Sequence, residues 1–147
     1  MRDKERDTLV FRLAEKEDFF FLVTRDHWVS SEELKYVIDR GRIWVVELEG
    51  KLIGWLRYGL FWDEIPFVNM LRLEEMYRKK GIGTQLIGHW EKEMRQKGFS
   101  VVMTSTSSAE GAQHFYRKLG YHETGGFLPQ GEPFELIFVK RLIEYDK

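Results

Sequence analysis

Between the apolar run Phe67 to Leu73 and a long amphipathic pattern, the chain carries Arg78-Lys79-Lys80-Gly81-Ile82-Gly83, and this junction limits the available folds more than any other segment. From Lys80 to Lys97 the apolar residues Ile82, Leu86, Trp90 and Met94 recur at helical spacing, and Gly98 closes the pattern. The run before the junction follows Pro66, a residue that can open a strand but cannot continue a central one. The segment therefore reads as strand, glycine loop, helix. Gly81 and Gly83 have no β-carbon, so the backbone there can turn sharply and lie against a ligand. The unpaired N–H groups of the first helical turn, with the positive end of the helix dipole, suit phosphate oxygens, and Arg78, Lys79 and Lys80 add positive charge beside them. The residues alone leave two readings open, a pyrophosphate-binding loop and an ordinary solvated turn. No G-x-x-x-x-G-K-[ST] is present, and Gly81-Ile82-Gly83-Thr84-Gln85-Leu86 lacks the third glycine of the dinucleotide fingerprint, which argues against nucleoside triphosphates and NAD.

The remaining elements fall in order around this junction. Thr8 to Leu13 reads as a strand, and Glu15 to Asp18 as the acidic first turn of a helix carrying Phe19 to Val23. Ser30 with Glu33 has capping-box spacing, Leu34, Val37 and Ile38 follow at helical intervals, and Gly41 stops the second helix. Ile43 to Leu48 and Lys51 to Tyr58 form a hairpin through Glu49-Gly50. After the long helix, Phe99 to Met103 reads as a buried strand and Ala109 to Leu119 as a helix stopped by Gly120. One or two strands close the chain, with Phe134 to Val139 the clearer one. The expectation is an α/β (α+β) fold, with a mixed, mostly antiparallel central sheet and flanking helices, in one domain over 1–147.

Two stretches resemble a known family. Arg78-Lys79-Lys80-Gly81-Ile82-Gly83 fits R-x-x-G-x-G and, with the preceding strand Asn69 to Leu73, is similar to the acetyl-CoA loop of the GNAT N-acetyltransferase superfamily. Ala112-Gln113-His114-Phe115-Tyr116-Arg117-Lys118-Leu119-Gly120-Tyr121 resembles that family's second motif, A-x-x-F-Y-x-x-x-G-F. The resemblance implies transfer of an acetyl group from acetyl-CoA to a primary amine by direct attack in a ternary complex. It also implies a strand splayed from its neighbour, so that pantetheine lies beside Phe67 to Leu73. The amides from Lys79 to Thr84, including those of Lys80, Gly81, Ile82 and Gly83, would then hold the pyrophosphate beside Arg78. The Leu73 N–H would polarise the acetyl carbonyl. Tyr116, next to the cofactor-side Phe115, would protonate the departing thiolate as general acid, its ordinary pKa of about 10 lying near that of an alkyl thiol. The plainer reading of Tyr116 is a helix tyrosine that closes the core. At Ala109 the family pattern commonly has an asparagine that contacts the pantetheine arm, and Ser107 or Ser108 stands nearby.

The attacking amine must lose a proton, which costs a lysine-like amine ~4.6 kcal/mol at pH 7. Asp63, Glu64, Glu74, Glu135 and the polar Asn69 are candidates to receive it, directly or through water, and none is singled out. His27, Trp28, Trp55, Tyr58, Phe61 and Trp62, with Asp26, Asp63 and Glu64 interleaved, lie in segments that resemble the family's acceptor-binding part. Aromatic faces and carboxylates would suit a cationic amine, while core and sheet packing is the simpler account of most of these rings. A non-catalytic acyl-CoA-binding or regulatory module is the competing function.

Composition removes several classes. With 23 basic and 24 acidic residues, a net charge of -1 gives no footprint for nucleic acid or an anionic membrane. The absence of cysteine excludes disulfides, thiolate zinc sites and a cysteine nucleophile. His89 and His114 fall on different helices without partner ligands, so no metal is expected. The charged start Met1 to Asp7 and the lack of a long apolar run make a cytoplasmic location the default expectation, and leave monomer and homodimer open.

Overall fold

A computed structural model describes residues 8–143, so the charged N-terminal stretch 1–7 lies outside the described residues. Seven strands form one sheet in the order β1-β2-β3-β4-β5-β7-β6. In chain order these are β1 (Leu9–Leu13), β2 (Ile43–Leu48), β3 (Lys51–Phe61), β4 (Ile65–Leu73), β5 (Val101–Ser107), β6 (His122–Phe127) and β7 (Glu135–Arg141). The helices are α1 (Phe19–Val23), α2 (Ser31–Asp39), α3 (Ile82–Gln96) and α4 (Ala112–Lys118). The β4–β5 ladder is parallel while the β1–β2, β2–β3, β5–β7 and β6–β7 ladders are antiparallel, which gives the mixed, mostly antiparallel sheet expected from the sequence.

The described residues group into two compact units, the first holding residues up to Tyr58 together with Met70–His89, the second Gly59–Asn69 together with those from Trp90 onward. In the first unit, β1 pairs with β2 from Leu9↔Leu48 to Leu13↔Trp44. The β2–β3 hairpin turns through Glu49 and Gly50 at φ 54 and 77, the mirror-image turn whose twist matches paired strands. Ser30 Oγ accepts the Glu33 amide at 3.1 Å and starts α2, and Gly41 at φ 70 ends it. Leu22, Leu34, Val37, Ile38, Ile43, Val45 and Trp55 pack together as the core of this unit. The helical stripe read from the sequence does the same work on α3, whose Leu86 and Ile87 are buried.

In the second unit, β5 pairs with β7 over seven residues from Val101↔Arg141 to Ser107↔Glu135. The strand therefore starts and ends later than the expected Phe99 to Met103. Thr104 and Thr106 are buried β-branched residues that extend a strand as readily as valine, and the Thr104 hydroxyl is bonded to the Val68 carbonyl. The second closing strand is β6, exposed at every residue and bulged between Glu123 and Gly125. Its polar, glycine-bearing sequence has no alternation to read, and its pairing with β7 makes it a strand.

Candidate active site

The end of β4 is held from several sides in the first unit. Gly54 on β3 is buried so closely against it that an added β-carbon would sit 2.7 Å from the Arg72 carbonyl oxygen and 3.3 Å from Leu73 Cα. The Glu74 amide donates to the Ile53 carbonyl at 2.8 Å, and Arg25 Nε donates to Glu74 Oε1 at 2.8 Å. A single turn, Glu75–Tyr77, then leads to Arg78, whose Nε reaches back to donate to the Leu73 carbonyl at 2.9 Å. That bond ties the first residue of the glycine loop to the last residue of the strand. An open cavity of about 440 Å³ is lined by Lys51, Glu74, Glu75, Met76 and Tyr77 at the same turn. A second cavity, of about 290 Å³, is lined by Lys16, Phe19, Lys35, Ile38 and Asp39 and shares no residue with the loop.

Lys79 and Gly81 both take left-handed backbone, φ 62 and 85. A β-carbon on Gly81 would meet nothing within 4 Å, so glycine is there for its backbone freedom and for access to the amides, not because space is short. The first helical hydrogen bond runs from the Gln85 amide to the Gly81 carbonyl, which leaves the amides of Ile82, Gly83 and Thr84 ahead of it. Arg78, Lys79 and Lys80 are exposed beside them. The structure thus brings Leu73, Arg78, Lys79, Lys80, Gly81, Ile82, Gly83 and Thr84 into one strand–turn–helix segment. Its free N–H groups and cationic surround fit a diphosphate.

Tyr116 and Phe115 belong to the second unit. Tyr116 is 5% exposed, with Phe115 edge-on to its ring at 5.0 Å and Tyr121 edge-on at 5.3 Å. Burial pushes its phenol well above the ordinary value, an interaction with Thr104 offsetting part of the rise. Thr104 Oγ1 donates in turn to the Val68 carbonyl at 3.0 Å, next to the parallel ladder of Phe67↔Met103 and Val68↔Thr104. The Tyr121 amide donates to the Tyr116 carbonyl at 3.0 Å, and its hydroxyl donates to the buried Glu91 at 2.8 Å. Lys140 Nζ holds the other Glu91 oxygen at 2.9 Å. Tyr116 is thus fixed by backbone and ring contacts, and the Glu91–Lys140 pair holds its neighbour Tyr121.

The sequence profile described as the Acetyltransferase (GNAT) family matches residues 9–121, which include the loop and the whole of the second motif. The chain belongs to the GNAT acetyltransferase family. A curated relative, the Probable N-acetyltransferase 14 of Danio rerio, is 29% identical over a match covering 69% of this chain, and the chain spans 43% of that relative's length. Solved GNAT-like folds agree in architecture. Ard1 from Thermoplasma volcanium superposes with a TM-score of 0.80 at 13% identity, over 92% of this chain and 99% of its own. The yncA protein of Salmonella typhimurium, solved with its cofactor acetyl-CoA, gives 0.78 at 16% identity, over 96% and 98%.

The other residues that the GNAT resemblance brought forward separate into free and engaged groups. Glu74 is paired with Arg25, and Glu135 accepts the Ser105 hydroxyl at 2.7 Å. Asp63, Glu64 and Asn69 are exposed, and the two carboxylates have no ion-pair partner among the described residues. Asp26 and Trp55 leave the acceptor group. Asp26 is buried, with Oδ2 accepting Arg57 Nε at 2.8 Å and Trp55 Nε1 at 3.2 Å, while Oδ1 accepts Arg57 Nη2 at 3.2 Å and the Trp28 amide at 3.3 Å. Its carboxylate is spent inside the first unit. Tyr58 is buried, whereas Trp28 and Trp62 are exposed at 63% and 76%. Trp62 and Asp63 form the β3–β4 turn with φ 58 and 60. At the departure from the family pattern, the Ala109 amide donates to Ser107 Oγ at 3.1 Å, which occupies that hydroxyl locally. His89 packs between Phe11 and Trp44, at ring distances of 5.4 and 4.5 Å. Sequence reasoning missed Arg57, Arg25, Thr104 and Glu91. An arginine inside the apolar run Trp55-Leu56-Arg57-Tyr58 was the available signal, because a buried guanidinium requires a buried carboxylate.

Proposed function

We propose that this chain is an acetyl-CoA-dependent N-acetyltransferase that passes an acetyl group to a primary amine by direct attack in a ternary complex. The observation that carries the reading is the Arg78–Leu73 hydrogen bond. It fixes the free amides of Ile82 to Thr84 relative to the end of β4, where an acyl carbonyl would need a donor. In this reading Arg78, Lys79 and Lys80 with the amides of Gly81 to Thr84 hold the diphosphate of acetyl-CoA, and Phe115 contacts the cofactor. The Leu73 N–H stabilises the oxyanion that forms when nitrogen attacks, a contribution of ~3 kcal/mol for one such donor. Tyr116 returns a proton to the departing thiolate. Burial holds that proton on the phenol ahead of transfer and raises the phenol above the thiol it would protonate. The short β4–β5 ladder, two residue pairs long, supports the splay that pantetheine needs. Of the candidate carboxylates, Glu74 adjoins Leu73 but is paired with Arg25, and Asp63 and Glu64 lie at the opposite end of β4, so none of these three is assigned as the base.

Calorimetry with acetyl-CoA and desulfo-CoA, run on wild type and Gly81→Glu, tests the loop. Wild type should bind, and Gly81→Glu should not, since it adds a carboxylate among the amides and strains a left-handed residue. Thiol release with pooled amines then tests the chemistry. Tyr116→Phe should lower kcat about 100-fold with the acetyl-CoA Kd unchanged. Binding without thiol release would favour the acyl-CoA-binding module instead, and equal binding by Gly81→Glu would remove the loop from the site.

A further inference from the structure

Four arginines stand around the end of β4: Arg78 is bonded to the Leu73 carbonyl, and two of the others are answered by carboxylates. Arg25 pairs with Glu74 and Arg57 with Asp26, at 2.8 Å each. Arg72, immediately before Leu73, is exposed and has no carboxylate partner among the described residues. Its guanidinium instead lies over the Trp28 ring, 5.9 Å from the centroid, and the His27 ring lies 6.0 Å from that of Trp28.

The segment bearing these rings is held unusually firmly for an exposed connection between helices. Arg25 is stacked over Phe21 at 4.0 Å while it grips Glu74, and the next residue, Asp26, is locked to Arg57 and Trp55. The same Asp26 carboxylate also accepts the Trp28 amide, which sets the backbone of the tryptophan itself. Two adjacent residues are thus pinned to two adjacent strands, and the aromatic group they present is the solvent-facing Trp28. The buried pair that anchors the segment also presents the exposed Trp28 indole from a set backbone, the preorganisation that a recognition surface requires. The electrostatics then choose the ligand. Asp26 and Glu74 are neutralised within the chain, and the charge left over at this end of β4 is positive.

We propose that the acceptor amine carries an oxyanion group, a carboxylate or a phosphate, which Arg72 binds with its planar fork while Trp28 and His27 cover the adjoining carbon skeleton. This rests on the transferase reading above and deepens it: the residue before the oxyanion donor sets the charge of the substrate. A cationic acceptor, the expectation drawn from Asp26, Asp63 and Glu64 with the aromatic faces, is disfavoured at this position because Asp26 is spent on Arg57 and the other two lie at the opposite end of β4.

The test separates the two levels. Acetyl-CoA binding by calorimetry comes first, and its absence would overturn the transferase reading and this inference together. With binding established, primary amines matched in length are compared as acceptors and, by titration against the desulfo-CoA complex, as ligands: amino acids, their amides, phosphoethanolamine and diamines. The carboxylate-bearing or the phosphate-bearing arm should lead, which also distinguishes the two sources of the anion. Arg72→Gln should raise KM for the leading acceptor about tenfold or more, the worth of a hydrogen-bonded charge, with little change in kcat or in the acetyl-CoA Kd. Arg72→Glu should move the preference toward diamines, and Trp28→Ala should raise KM for every member of the series. Equal use of acids and amides, a preference for diamines by the wild type, no binding by any amine to a protein that binds acetyl-CoA, or an acid preference indifferent to Arg72→Gln would each overturn the inference.

Discussion

Replacing Gly54 with alanine places one methyl group between β3 and β4, and the structure fixes the consequence closely. The new carbon would lie 2.5 Å from Leu73 Cδ2, 2.7 Å from the Arg72 carbonyl oxygen and 3.3 Å from Leu73 Cα. The leucine methyl can rotate aside, but the carbonyl belongs to a strand whose next residues are held by the Glu74–Ile53 and Arg78–Leu73 hydrogen bonds. Relief requires the backbone to retreat by roughly 0.7 Å to reach ordinary contact, which in a packed interior costs about 1–3 kcal/mol. The displacement falls on the Leu73 amide, so turnover should suffer more than stability suggests, with a loss of up to about 100-fold in kcat. Gly88→Ala is the matched control. Gly88 sits in the exposed middle of α3, and a β-carbon there would meet nothing within 4 Å. The same methyl should stabilise the protein by about 0.5–1 kcal/mol through helix propensity. Urea denaturation of both variants, followed by tryptophan fluorescence, reads the opposite signs, and a thiol-release assay reads the rate. A Gly54→Ala protein with wild-type stability and turnover would refute the claim that this contact positions the end of β4.

Asp26→Asn leaves the buried Arg57 guanidinium without its counter-charge and should cost about 3 kcal/mol, whereas adding Arg57→Met should restore most of the loss; urea midpoints decide, and a cost below about 1 kcal/mol would show that the pair is not structurally needed. At high pH, burial raises the phenols of Tyr116 and Tyr121 above their ordinary value, with Glu91 adding to the rise at Tyr121. A raised folded-state pKa leaves its contribution whole below the unfolded value and removes it as pH climbs past that value, so stability should fall above about pH 10. Tyr121→Phe should flatten that alkaline limb in denaturation curves taken at pH 7, 9 and 10.5, and an unchanged slope would refute the assignment.

Much of the architecture is local and could be read directly. The stripe Ile82, Leu86, Trp90 and Met94 specifies α3 with Gly98 as its stop, Ser30 and Gly41 bracket α2, and Glu49-Gly50 sets a hairpin, because caps, turns and periodic burial act over a few residues. The loop from Arg78 to Gly83 was legible for the same reason: free amides at a helix start need only a strand, two glycines and a helix in succession. The length of β5 was less legible, since Thr104 to Ser107 become strand by pairing with β7 some thirty residues away.

The sequence by itself therefore determined the order of elements, the GNAT relationship and the strand–glycine loop–helix segment, all of which depend on neighbours along the chain. Tertiary structure alone decided which charges remain available. Asp26 and Arg57, 31 residues apart, cancel inside the first unit, Arg25 occupies Glu74 from 49 residues away, and Arg72 is left facing solvent across Trp28. The acidic and aromatic residues near the acceptor segments look like a pocket for a cation when counted along the sequence. A buried carboxylate must be paired before the chain can fold, and the partner that pairs it is chosen by proximity in space, which no local pattern records.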